Sequence, residues 1–388
     1  MNRSKLFLGI LLIALVGLAL AWRITRGAES PPQTSSANFL SNTESPTNFQ
    51  RAEGPRQWDF PEDFGPHPDY QTEWWYYTGN LQSENGERFG YQLTFFRRAL
   101  LPENSPQERD SAWAADQVYM AHFALTDIST KEHYAFERFT RGAAGLAGAQ
   151  ANPYQVWLEN WEVTLTNDGE YLIKAGQNDI SIELILKDAK GPIFHGDQGY
   201  SQKGPEKGNA SYYFSQTRLE SQGIVQVAGE IFQVAGLSWM DHEFGTSALS
   251  EGQVGWDWFS IQLEEDSELM VFQIRRADGS IDPFSSGTWI NAGGKTTQLD
   301  RDQFQIQVLD TWQSDTSGGE YPAKWNLVIP SLNLKLEIEP FVVDQEMNVS
   351  YAYWEGAVKV SGSVDGESVK GNGYLEMTGY AASMEGEF

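Results

Sequence analysis

Trp74-Trp75-Tyr76-Tyr77 opens a segment that turns at Glu84-Asn85-Gly86 and closes in Phe95-Phe96-Arg97-Arg98. Trp256-Asp257-Trp258-Phe259 opens another that turns at Glu265-Asp266-Ser267 and closes in Gln273-Ile274-Arg275-Arg276. Each is an aromatic strand, an acidic turn and a strand ending in a double arginine, the pattern of a β-hairpin. A second pair follows in the same order. Ser211-Tyr212-Tyr213-Phe214 runs through Gly223 and Gly229 to Leu237-Ser238-Trp239-Met240, and Ser350-Tyr351-Ala352-Tyr353 runs through Gly362 and Gly366 to Leu375-Glu376-Met377. Two matches in one order argue for two related β domains, 58–245 and 246–388, the first carrying an insertion.

The rest of the body fits that reading. Short runs alternate apolar and polar residues between Gly, Asn and Asp turns, with little helical periodicity. Trp161–Thr166 before Asn167-Asp168-Gly169, Ile180–Leu186, Lys335–Glu339 and Gly356–Val360 are all strands of this kind. Pro153–Leu158 reads as irregular or helical. Domains of roughly 140 to 190 residues suffice for eight- to ten-stranded barrels, and small closed barrels hold one small ligand. Gly255-Trp256 before a strand resembles the G-x-W of lipocalins, where Trp plugs one barrel end. The expected fold is therefore all-β, two consecutive lipocalin-like antiparallel β-barrels after an N-terminal membrane segment. Filled sandwiches without a cavity are the alternative.

That segment is the unbroken apolar run Leu6–Trp22, flanked by Arg3, Lys5, Arg23 and Arg26. Residues 1–26 read as a signal anchor or a signal peptide, with Ala19-Leu20-Ala21 as a small-x-small cleavage site. Residues 27–57, dense in Ser, Thr, Pro and Asn, read as a flexible linker. A leader and tether place the folded part outside the cytoplasm, periplasmic or at the cell surface. With 27 basic and 53 acidic residues the chain carries a net charge of -26, which repels phosphate backbones and excludes nucleic acid as a partner. Zero cysteines exclude disulfides, thiolate metal sites and a cysteine nucleophile.

Three clusters carry candidate chemistry. In His67–Tyr77, an extended strand puts Glu73, Trp75 and Tyr77 on one face and Trp74 and Tyr76 on the other. In Trp239–Gly245, Asp241 and Glu243 share a face with Trp239, and His242 lies opposite. Paired carboxylates raise each other's pKa, so one stays protonated near neutral pH and acts as an acid. In Gly255–Trp258, Asp257 sits between Trp256 and Trp258, whose faces stabilise cations. His122 in Met120–Leu125 is either a bonded core residue or a polar group facing a cavity. His133 and His195, without sequence partners, read as surface. No His-Glu-x-x-His, EF-hand, G-x-S-x-G or phosphate loop is present, so neither a metal nor a cofactor is expected.

The stretches GPHPDYQTEWWYYTGNL from Gly65, MAHFALTD from Met120 and WMDHEFG from Trp239 resemble the AttH and carotenoid 1,2-hydratase family over about 58–388. The resemblance implies two lipocalin-like barrels and long apolar, often isoprenoid, ligands. It also implies that His242 is functional, while Phe244 stands where the carotenoid enzymes have Trp. Two functions follow. One is an anchored lipocalin-like protein that binds an apolar lipid or isoprenoid, working with a lipid-exporting ABC transporter permease. The other is a cofactor-independent hydratase that protonates an isoprenoid double bond and lets water capture the cation. Asp241, His242 and Asp257 are the catalytic candidates. Glu73, Trp75, Tyr77, His122, Trp239, Glu243, Trp256 and Trp258 are the ligand-binding ones.

Overall fold

The computed structural model describes residues 49–102, 116–246 and 249–385. The expected membrane segment and all of the linker before residue 49 lie outside them. Among the described residues no helix is long and apolar enough to cross a membrane.

The first sheet is built from β1 (Thr72–Ser83), β2 (Arg88–Ala99), β3 (Gln117–Asp127), β4 (Glu132–Arg141), β5 (Ala147–Gln150), β6 (Gln155–Leu158), β7 (Trp161–Leu165), β8 (Tyr171–Gln177), β9 (Ile180–Asp188), β10 (Ile193–Phe194), β11 (Tyr200–Gln202), β12 (Ala210–Val227) and β13 (Glu230–Gly245). The second holds β14 (Gln253–Leu263), β15 (Glu268–Arg276), β16 (Ser286–Ile290), β17 (Thr296–Asp300), β18 (Gln305–Gln313), β19 (Glu320–Ile329), β20 (Leu334–Pro340), β21 (Glu346–Asn348), β22 (Ala352–Val364) and β23 (Glu367–Met377). The segment expected to be irregular or helical contains strand β6. Its alternation buries Val156 and Leu158, and that periodicity of two decides the conformation.

Strand order in the first sheet is β4-β3-β2-β1-β13-β12-β9-β8-β7-β6-β5, and in the second β17-β16-β15-β14-β23-β22-β20-β19-β18. The orders coincide strand for strand, β1 answering to β14 and β13 to β23, with β5 and β6 extra in the first. Two glycines mark the equivalence. A Cβ on Gly223 of β12 would sit 2.1 Å from the Glu183 carbonyl oxygen of β9. One on Gly362 of β22 would sit 2.0 Å from that of Lys335 in β20. In both halves the neighbouring backbone crosses where only glycine leaves room.

Both sheets are barrel-like, one nearly closed and the other a half-barrel. The expectation of two closed barrels is corrected: among the described residues no pairing joins β4 to β5 in the first sheet or β17 to β18 in the second. Each sheet has its own apolar core, around Trp75, Phe95, Trp161 and Leu184 in the first and Phe259, Trp325, Leu336 and Trp354 in the second. A third cluster, Tyr76, Tyr213, Trp239, Trp258, Met270, Phe272 and Ile274, joins the sheets. Polar bonds cross the same joint. Tyr76 Oη donates to Glu355 Oε2 over 2.7 Å, and Gln262 Nε2 donates to the Thr217 and Ser238 carbonyls. Glu268 accepts from Arg218 at 2.5 Å and from Lys190 at 2.7 Å.

Candidate active site between the two sheets

Alternation along β1 sends Trp75 and Tyr77 into the first core and Trp74 and Tyr76 toward the second sheet. Alternation along β14 does the same for Trp256 and Trp258. Between these faces lies a cavity of about 150 Å³ whose mouth is rimmed by partly exposed Trp74, Phe96, Leu249, Trp256 and Tyr351. Three carboxyl groups line it: Asp241, Glu243 and Glu376.

The lining repeats from one sheet to the other. Tyr76 is opposite Thr94 on β2 and Asp241 on β13. Its counterpart Trp258 is opposite Phe272 on β15 and Glu376 on β23. Trp74 faces Phe96 as Trp256 faces Ile274. Asp241 and Glu376 therefore hold equivalent places, and all of these residues line the cavity.

Burial brings both carboxyls into a range where they titrate near neutrality. Burial pushes Asp241 up to about 7 against the pull of hydrogen bonds from Ser215, Tyr213 and Trp239. Tyr213 Oη donates to its Oδ2 at 2.5 Å; Trp239 Nε1, at 2.6 Å, and Ser215 Oγ reach Oδ1. Burial also pushes Glu376 up to about 7, against one hydrogen bond from Trp256 Nε1 to Oε2 at 2.7 Å, with the Asp241 and Glu243 charges adding to the rise. Glu243 pairs with Lys203 at 3.2 Å and accepts from Ser211 Oγ. The Lys203 ammonium lies 3.9 Å over the Phe272 ring. Trp258 Nε1 donates to Tyr213 Oη at 3.0 Å.

The sequence-derived candidates divide. Asp241, Glu243, Trp256 and Trp258 line the cavity together. Trp239 stands behind Asp241 as its hydrogen-bond donor. Trp256, read as a barrel plug, is instead at the cavity mouth. Trp75 and Tyr77 are core residues of the first sheet, Tyr77 bonded to Tyr154 at 2.8 Å. His122 is buried between Tyr353, at 2.6 Å, and Glu137, at 3.1 Å, behind the mouth residues Phe96 and Tyr351 and not in the cavity lining. Asp257 points into the second sheet's side of β14, held by Gln273 at 2.8 Å and Arg275 at 3.1 Å.

His242 and Glu73 also lie on the far face of the first sheet. Glu73 Oε1 bonds His242 Nε2 at 2.8 Å and His67 Nδ1 at 2.7 Å, and its Oε2 takes Arg97 Nε at 2.8 Å. His67 stacks on Phe244 at 3.5 Å and reaches Asp63 at 3.0 Å. Burial alone would raise the Glu73 pKa, but Arg97 and His67 hold it well below the carboxylate range. The donor atoms of His67, Glu73 and His242 lie within 4.8 Å of one another, the span of a metal triad. Arg97 already neutralises the carboxylate, and we read the group as a charge-balanced hydrogen-bond network. His195, expected at the surface, is 1% exposed and bonded on both ring nitrogens.

Glu376, Tyr76, Trp74, Tyr213 and Lys203 were not singled out as site residues from sequence. The signal for Glu376 was an acidic residue between Leu375 and Met377 on an apolar strand, one strand-length after a matching aromatic segment.

The AttH-like family model matches residues 51–380. An AttH protein from Nitrosomonas europaea has a solved structure 32% identical to this chain, with a TM-score of 0.76 over 86% of this chain and 100% of its own. Kievitone hydratase from Nectria haematococca shares the fold at a TM-score of 0.65 and 16% identity, over 87% of this chain and 98% of that one. The dehydratase asqC of Emericella nidulans is 20% identical over 216 residues, 53% of this chain, and the chain spans 60% of that relative's length. The chain belongs to the AttH-like family.

Proposed function

We propose that the chain is a cofactor-independent hydro-lyase, adding water to or removing it from an alkene on an apolar, isoprenoid-like molecule. The observation that carries this reading is the pair of equivalent carboxyls, Asp241 and Glu376, both pushed up to about 7, facing one aromatic cavity between the sheets. A hydratase and a dehydratase among its relatives support the same class of reaction.

Glu376 is the proton donor in this reading, since one indole N–H occupies Oε2 and no bond from the described residues claims Oε1. Its proton adds to the less substituted alkene carbon, the π pair forms the new C–H bond, and Glu376 becomes a carboxylate. The tertiary cation sits against the Trp256 and Trp258 rings, whose quadrupoles stabilise positive charge by about 1 to 2 kcal/mol when desolvated. Water adds to the cation, and the Asp241 carboxylate takes the proton it sheds. Dehydration runs the same steps backwards. The pair works when it holds one proton, so a bell-shaped pH–rate profile centred near neutrality is expected.

The lipid-holding reading draws on the same apolar lining and differs only in lacking turnover. The test is incubation of the chain with prenyl alkenes in heavy-oxygen water, read by mass spectrometry. Label in a tertiary alcohol, absent with Glu376→Gln, is the expected result. Binding of such alkenes without hydration, and of the alcohols without dehydration, would leave the lipid-holding reading in its place.

A further inference from the structure

A buried chain of hydrogen bonds leads from Asp241 through the joint. Ser215 Oγ contacts Asp241 Oδ1 and His195 Nε2, the latter at 2.6 Å. His195 Nδ1 meets Thr288 Oγ1 at 2.8 Å, and Thr288 Oγ1 meets Gln298 Oε1 at 2.8 Å. Asp241, Ser215 and His195 belong to the first sheet and Thr288 and Gln298 to the second, and only Gln298 is exposed.

The outer end of the chain has a fixed polarity. Gly196 N–H donates to Gln298 Oε1 at 3.1 Å, and Gln298 Nε2 donates to the Phe194 carbonyl at 3.0 Å, so the amide cannot turn over. Its Oε1 then accepts from Thr288, whose single hydrogen is committed. Thr288 accepts from His195 Nδ1–H, His195 Nε2 accepts from Ser215, and Ser215 accepts from a protonated Asp241. Every bond is made when Asp241 is the acid. When Asp241 is a carboxylate, Ser215 turns its hydrogen to Asp241, His195 must carry its hydrogen on Nε2, and Thr288 must abandon Gln298.

We propose that His195 is a positioning residue whose tautomer is tied to the proton on Asp241, Nδ1–H with the acid and Nε2–H with the carboxylate. The complete chain belongs to the acid form, so it strengthens Asp241 as the base that takes the proton of adding water. The inference rests on the hydro-lyase reading for that role, but the coupling itself needs no substrate. His195 stays neutral throughout, because burial, helped by the Lys203 charge, pushes it down to about 3. The other groups facing the pair are Tyr213, whose ring lies 4.3 Å from that of His195, Trp239, Glu243 and Glu376.

The test is a pH titration of the full chain, labelled with nitrogen-15 in histidine and carbon-13 in the aspartate carboxyl, followed by NMR. His195 is expected to change tautomer at the midpoint where Asp241 loses its proton. Thr288→Val removes the acceptor of Nδ1–H and should lock Nε2–H at every pH, lowering the Asp241 midpoint by roughly one pH unit. Gln298→Leu, at an exposed position, should lower it in the same direction if Thr288→Val does not fold. A His195 tautomer that stays fixed through the Asp241 titration, or a midpoint unmoved in both folded variants, overturns the inference. Alkene turnover with a static His195 sinks this inference alone, whereas a switching His195 without turnover sinks the hydro-lyase reading alone.

Discussion

Asp241 binds its proton more tightly in the folded chain, at about 7, than in the unfolded one, near 3.8. The stability this contributes is complete below the unfolded value and is lost as pH rises through the folded one, on the order of 4 kcal/mol in all. Wild-type thermal stability should therefore fall between pH 4 and 8 more steeply than that of Asp241→Asn, checked by calorimetry across that range. Equal slopes would mean Asp241 is not raised. Glu376→Gln, which keeps the shape and the Trp256 donor but holds no transferable proton, should lower kcat by roughly 10²- to 10⁴-fold with little change in KM. A loss confined to KM would make Glu376 a binding group.

At the scale of the strand, alternation decided most of what sequence could tell. The hairpins at Glu84-Asn85-Gly86 and Glu265-Asp266-Ser267 join the expected strands, and period-two patterning separated the faces of β1 and β13 correctly. It could not say which face would meet another sheet. Sequence points to Trp75 and Tyr77, which share a face with the Glu73 carboxylate, whereas Trp74 and Tyr76 line the cavity; both faces are aromatic, and the difference arises only when the halves dock. His195 was unreadable for the same reason: Thr288, its partner, lies in the other half. Glycines at crossing points were visible as letters, but their necessity is geometric. Gly223→Ala and Gly362→Ala should each destabilise by about 1 to 3 kcal/mol in urea unfolding, since the clash in each is with backbone. Unchanged midpoints would show that the crossing strands can move apart.

For the whole molecule, the joint is the structural centre. Glu268 of the second sheet is buried against Arg218 and Lys190 of the first. Glu268→Ala leaves Lys190 without its counter-charge and Arg218 with only the exposed Asp266 at 3.2 Å, and should cost about 3 to 5 kcal/mol, while Glu268→Gln, which keeps hydrogen-bond acceptance, should cost less. Calorimetry should show one transition in the wild type; two well-separated transitions would mean that the sheets fold independently. Asp241 and Glu376 occupy matching register positions on matching strands, opposite Ser215 and Glu355 respectively. If the halves descend from one ancestral gene, two separate copies of that ancestor, meeting face to face, would have enclosed a cavity with two identical carboxyls. In such a dimer neither subunit could specialise as acid or base. Fusion of the two copies into one chain would have removed that constraint, and the different neighbours of the two carboxyls are what such a divergence would leave.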